Sequence, residues 1–216
     1  MPAIVRRVLG VVVVVLGAAL AIFGAWNAFG LGPSGEARFS VTAKDPGALV
    51  VEPDVLNSVE VPVRITATRS DGGSVQVVVA PSVDARAVLD RSAVSTVSGV
   101  HYPAGTLDLR TAGVGSSPGV RTADVWRLSA KGVGSAQLVV NQGFGPETAV
   151  VASGDAGPLR GVTMTLTWAD RAWFFDALAV ALIGLIGAAF ALGDLWHARA
   201  QTGSIHSGSR NRGVIT

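Results

Sequence analysis

Three residues in this chain have a type or a setting that chemistry could use: Ser117, His101 and Asp176. Ser117 stands at the centre of GSSPG (115–119), which has the G-x-S-x-G spacing of a nucleophile elbow. An elbow raises its serine on a sharp turn between a strand and a following helix, and its histidine comes later in the chain. Here a loop-forming stretch precedes the motif, a strand-forming run follows it, and His101 comes before the serine. GSSPG therefore reads as a flexible loop, and His101, next to Tyr102 and Pro103, as a loop or strand-edge residue. A metal site needs several His, Cys or carboxylate ligands at workable spacing, and the chain has no cysteine and three histidines. GVGS (132–135) is too short for a phosphate-binding loop and lies between strands. No catalytic residue, cofactor or metal is expected, and the chain does not read as an enzyme.

Asp176 is different, because it sits three positions inside WFFDALAVALIGLIGAAFALGDLW, Trp173 to Trp196. An acid in the hydrocarbon region of a bilayer is costly and often marks a contact or an ion path. A preceding run, Val8 to Leu31, carries no charge over its length. At 1.5 Å per residue, its 24 positions reach about 36 Å, enough for a ~30 Å core with some tilt. The run exceeds the h-region of a signal peptide, so an uncleaved anchor is expected. With 49% apolar and 15% charged residues, the composition suits two membrane helices flanking a modest folded domain.

Charge fixes an expected orientation. Arg6 and Arg7 precede the first span, and His197, Arg199, Arg210 and Arg212 follow the second. Between Pro33 and Arg171 the balance is 12 basic against 13 acidic residues. The positive-inside rule then places residues 1–7 and a disordered tail, 197–216, in the cytoplasm, with 33–171 outside the cell membrane. The near-neutral middle also argues against a nucleic-acid surface. Trp26, Trp173 and Trp196 fall near helix ends, where indoles favour the interface.

Small residues recur at four-residue spacing: Gly17 with Ala21, Gly24 with Ala28, Gly184 with Ala188, and Gly187 with Ala191. This spacing lets helix backbones approach closely, although an Ala/Gly-rich genome would produce it as well. Three roles remain open for Asp176. It could pair with Asn27, at similar depth in an antiparallel hairpin, or snorkel to the interface; it could contact a partner protein; or it could serve transport chemistry, which needs a relay that the spans do not supply.

The middle reads as all-β and sandwich-like, with one short helix. Alternating or β-rich runs occur at 37–43, 58–69, 74–80, 94–100, 122–130, 136–142, 148–153 and 162–168. SDGG (70–73) is expected to turn the second run into a hairpin with the third. In PSVDARAVLDRS (81–92), Ser82 is expected to cap a helix with Val83, Ala87 and Val88 on its apolar face. Tyr102 to Val120 reads as one long loop.

Two stretches, VEVPVRITATRSDGGSVQVVVAPSVDARAVLD (59–90) and VWRLSAKGVGSAQLVV (125–140), resemble an uncharacterised group of actinobacterial membrane proteins with one helix at each end and a β-rich domain between. The arginine-over-lysine, Ala- and Val-rich composition agrees with a GC-rich genome. In layout the chain is similar to accessory subunits of Mce-type lipid importers, the lipid uptake coordinators. That resemblance implies a non-enzymatic subunit packed against a larger integral membrane complex, with a transporter permease favoured. LVVNQGFGPE (138–147) also resembles a stretch of an oxidase-assembly family with terminal helices, although AWNAFG replaces the Trp-Gln that ends that family's first helix. The resemblances leave a respiratory assembly factor, or a lipid- or glycan-binding module acting through the 102–120 loop, as alternatives.

Overall fold

A computed structural model describes residues 3–44, 47–90, 92–113, 120, 123–141, 143, 145–155 and 157–204. The chain divides into two compact units, one made of residues 1–35 with 171–216 and the other of 36–170.

The first unit is a pair of helices, α1 (Ala3–Leu31) and α4 (Arg171–Ser204). Both are long and apolar enough to cross a bilayer. Helix α1 begins five residues before the uncharged run, so Arg6 and Arg7 lie on it. Helix α4 continues past Trp196 to Ser204, which makes the first part of the expected disordered tail helical. Residues 205–216 lie outside the described residues.

The second unit is β-rich, with ten strands in one sheet among the described residues: β1 (Glu36–Thr42), β2 (Ala48–Val51), β3 (Val63–Arg69), β4 (Ser74–Pro81), β5 (Val94–His101), β6 (Thr106–Ala112), β7 (Leu128–Val133), β8 (Ser135–Val140), β9 (Glu147–Ser153) and β10 (Val162–Ala169). Two short helices, α2 (Pro53–Leu56) and α3 (Ser82–Leu89), interrupt them. The strand order is β7-β4-β9-β2-β5-β6-β1-β10-β3-β8. The two end strands, β7 and β8, follow one another through Gly134, whose φ of +73° suits a residue without a Cβ. The ends of the sheet therefore meet, and the architecture is a nearly closed barrel rather than the expected sandwich. Period-two alternation is common to both architectures, so it could not separate them.

Cross-strand rungs fill the interior. Phe39, Leu166 and Ile65 lie opposite one another across β1, β10 and β3, and Val41, Met164 and Ala67 form the adjacent rung. Trp168 faces Val63 in the next rung and meets Phe39 edge-on, with ring centroids 5.7 Å apart. The alternate residues Arg64, Thr66 and Thr68 point the other way and are exposed or half-buried. Strand β9 differs, since all seven of its residues are buried. Its second face is covered by a layer in which Val50, Val78, Val150 and Ala152 pack with Leu89 of α3 and with Val120 and Trp126. Trp126 Nε1 donates to the Val120 carbonyl at 2.7 Å, which anchors that cover. At the head of β9, buried Glu147 accepts two hydrogen bonds from Arg127, at 2.5 and 2.6 Å.

Several local expectations change. SDGG does turn the chain, but β3 pairs with β10 and β8 while β4 pairs with β9 and β7, so the two strands do not form a hairpin ladder. Strand β3 starts only at Val63, because Pro62 lacks the N–H that a ladder needs. Ser82 is not a cap: its Oγ donates to the Pro146 carbonyl at 2.8 Å and accepts from Thr148 Oγ1 at 3.0 Å. Helix α3 buries Ala85 and Leu89, whereas Val83 is exposed. Strand β6 lies inside the expected 102–120 loop and is antiparallel to β5, while residues 114–119, including Ser117, lie outside the described residues. The run 122–130 contributes only its last residues to a strand, with β7 starting at Leu128.

A polar cluster secures the closing turns. The Arg69 amide donates to the Gly134 carbonyl at 2.7 Å, and the Gly134 amide donates to that of Gly73 at 3.0 Å. The mostly buried Arg69 guanidinium bonds Asp71 at 2.6 Å and Ser153 Oγ at 3.2 Å, and Ser153 Oγ donates to Asp155 at 2.7 Å. The Arg69 hydrogen bond, then the Gly73 amide, hold the Asp71 carboxyl below its usual range. The Ser153 hydroxyl chiefly does the same for Asp155, with Arg69 adding attraction. A depressed folded pKa stabilises the fold above the unfolded value and is lost as pH falls through the folded one. The β-domain should therefore lose stability as pH drops below the ordinary aspartate value of 3.8. In Arg69→Met, thermal melts should show a lower midpoint at pH 7 and a shallower fall in midpoint on acidification.

Candidate interaction site on the terminal helices

Helices α1 and α4 touch where their backbones can come close. A Cβ added at Gly17 would lie 2.7 Å from the Gly184 carbonyl oxygen and 2.8 Å from the Ala188 amide nitrogen. One added at Gly184 would lie 2.5 Å from the Ala21 nitrogen, and one at Gly24 would lie 2.4 Å from the Ala181 nitrogen. Each distance is too short for a side chain, so glycine is required at these three positions. Ala28 and Ala188 are buried, while Ala21 and Ala191 are half-buried. Of the four small-residue pairs read from the sequence, Gly17 with Ala21 and Gly184 with Ala188 thus supply backbone to the contact. Gly24 belongs to it as well, with its partner Ala28 buried. Gly187 does not, having nothing within 4 Å of its absent Cβ.

The sequence reading did not single out Gly10, Ala177, Ala181 and Leu195, which extend this seam along the same helix faces. It also missed the clamp at the ends of the helices, where Arg6 grips Asp194 through both Nε, at 3.1 Å, and Nη2. The signal was present: an Arg in the first turn of the first helix and an Asp near the end of the last span must fall at the same end of an antiparallel hairpin.

Asp176 lies off the seam. It precedes Ala177, which faces α1, so it is turned about 100° round the helix from the contact. Its side chain is exposed and has neither a hydrogen bond nor an ion pair with any described residue. The expected Asn27–Asp176 bond is not made, and Asn27 Nδ2 instead donates to the Phe23 carbonyl of its own helix at 2.8 Å. At helical spacings of 7, 11 and 14 residues from Asp176 stand Ile183, Gly187 and Phe190 on the same flank. Ile183 is 66% and Phe190 77% exposed. Together they make a strip with an acid at one end, an open glycine in the middle, and bulky apolar groups around it. Such a strip suits another helix that offers a hydrogen-bond donor or a cation at the depth of Asp176.

The β-domain candidates are plainer. His101 Nε2 and Asp108 Oδ2 are 2.7 Å apart across the β5–β6 pair, and both side chains are more than half exposed. This is a solvated cross-strand pair, worth little energetically. Among the described residues, no group of three or more His, Cys, Asp or Glu is arranged to hold a metal ion.

The seam makes a direct prediction about substitutions. Gly24→Val should drive a side chain into the α4 backbone and destabilise the hairpin by about 1–3 kcal/mol, in the range of overpacked interiors. Gly187→Ala meets open space and should be neutral, or stabilising by up to about 1 kcal/mol through helix propensity. Thermal denaturation of the two variants in detergent separates the effects. No protein-family model and no curated protein matches the chain.

Proposed function

We propose that this protein is a non-enzymatic accessory subunit of a larger membrane complex, anchored by α1 and α4 and docked through the Asp176 flank of α4. The observation that carries this reading is the exposure of Asp176 about 100° round α4 from the α1 contact, with no hydrogen bond or ion pair to any described residue. In a bilayer that carboxylate would face lipid. A charged residue costs about 2.5–3.5 kcal/mol at the centre of an inserted helix and less toward its ends. Interhelical polar bonds return roughly 0.6–2 kcal/mol, so a donor on a neighbouring helix would offset much of that cost. Snorkelling and transport chemistry explain the acid less well, because neither gives a role to the open Gly187 about three turns further along the same flank.

The orientation belongs to the same proposal. Arg6, Arg7 and Arg199 put both termini in the cytoplasm under the positive-inside rule, and the β-domain on the outer face of the cell membrane. The partner we favour is the permease of an actinobacterial Mce-type lipid importer, on the resemblance of the helix–β-domain–helix layout to accessory subunits of such systems. A respiratory oxidase complex is the runner-up. Lipid or glycan binding through the 102–120 loop remains the other alternative; the barrel interior offers it no cavity, since Trp168, Leu49, Ile65, Met164 and Leu166 occupy that space as fully buried side chains.

Affinity recovery of the tagged full-length protein from its own membranes, in mild detergent, tests the docking. Asp176→Leu should reduce recovery of the partner complex several-fold while the protein still inserts and accumulates normally. Asp176→Asn, which keeps hydrogen-bonding capacity, should fall between. Equal partner recovery from wild type and Asp176→Leu would remove this flank as the contact.

A further inference from the structure

A cleft of about 310 Å3 opens between α3 and the outer face of the sheet, at the lower end of the range of ligand pockets, ~300–1,000 Å3. Four elements that are distant in sequence converge on it. Strands β2, β5 and β9 supply a floor of Val50, Val94, Thr96 and Thr148, and helix α3 supplies one wall with Leu89. Three charged side chains stand around the cleft: Glu52 just after β2, and Arg86 and Asp90 on and just beyond α3.

These three charges make no ion pair with one another, whereas Arg6, Arg38, Arg69 and Arg127 each pair with a carboxylate. Arg86 and Asp90 are one helical turn apart, a spacing at which opposite charges commonly pair. Among the described residues, none pairs with the Arg86 guanidinium or with the Glu52 and Asp90 carboxylates, which stand around one concave surface whose floor is fixed by the sheet. The Thr148 hydroxyl already donates to Ser82 Oγ and is left to accept.

We propose that this cleft binds a small amphoteric molecule, one that carries an ammonium group together with a phosphate or carboxylate. Arg86 takes the anionic group, since its fork matches phosphate and carboxylate oxygens. Glu52 and Asp90 take the ammonium, whose three N–H donors they can share. The connecting carbons lie on Val50, Val94 and Leu89. The free form of such a compound and the headgroup of an aminophospholipid share this chemistry. The site is independent of the docking proposed for α4.

The test uses the full-length protein, delipidated in maltoside micelles, with valine methyl groups labelled for NMR. Phosphoethanolamine and β-alanine are titrated separately, beside their isolated halves: inorganic phosphate and ethanolamine for the first, propionate and ethylamine for the second. At least one of the two amphoteric probes should give saturable shifts at Val50 and Val94. It should do so at a concentration at least tenfold lower than either half needs. Arg86→Gln and Glu52→Gln should each weaken binding tenfold or more; Arg86 is exposed and Glu52 half-buried, and neither belongs to the hydrophobic core. If micellar phosphatidylethanolamine shifts the same methyls, the source is a lipid headgroup; if only the free compound does, it is a soluble metabolite. Absence of saturable shifts with both amphoteric probes would overturn the proposal. So would ethanolamine binding as tightly as the whole molecule, or unchanged affinity in Arg86→Gln.

Discussion

The close approach of two backbones at Gly17, Gly24 and Gly184 is the constraint from which the rest of the helical unit follows. Where a Cβ would come within 3 Å of a facing backbone atom, only glycine lets the helices touch. Contact at three points along α1 fixes the rotation of each helix about its axis. Once Ala177, Ala181, Gly184 and Ala188 are turned toward α1, Asp176 and Gly187 must lie away from the seam. The outward acid is thus a consequence of packing. The Arg6–Asp194 clamp fixes the register at the opposite end from Asp176. One acid is consumed within the hairpin and the other is left over.

The β-domain depends on a comparable arrangement of turns. The turn at Gly134 joins the two end strands of the sheet, and it is held by backbone hydrogen bonds to Arg69 and Gly73. Arg69 then gathers Asp71 and Ser153 beside the turns that bring the two end strands together. The covering layer of α3, Val120 and Trp126 explains why β9 is buried on both sides. The cleft lies where that layer stops short of β2 and β5.

Much of this was legible in the sequence, and the failures have identifiable causes. The two apolar helices, β1 and β3 were readable because length and period-two alternation are local properties, and β9 and β10 because β-rich composition is. Closure of the barrel was not, because strand order depends on pairings between distant segments. Strand β6 was hidden by the Gly and Pro residues on either side of it, which read as one long loop. Four-residue β2 was too short to show a period. Ser82 has the residue type of a cap, but Pro146 and Thr148, more than 60 positions away in the chain, claim its hydroxyl. The small residues Gly17, Gly24 and Gly184 were found by spacing alone. The Asn27–Asp176 pair was inferred from depth, and it failed because depth does not determine which way a helix is turned.

The most direct test of docking through α4 exploits the absence of cysteine from the chain. Single cysteines at Ile183 and Phe190 on the exposed flank, and one at Ala181 in the seam, would carry a short photo-crosslinker in intact membranes. Crosslinked products would then be identified and quantified by mass spectrometry. Docking through the Asp176 flank predicts one partner protein captured in near-stoichiometric yield from 183 and 190, with 181 joining only to α1 of its own chain. Capture of lipid alone from the flank positions, with no protein partner, would contradict it.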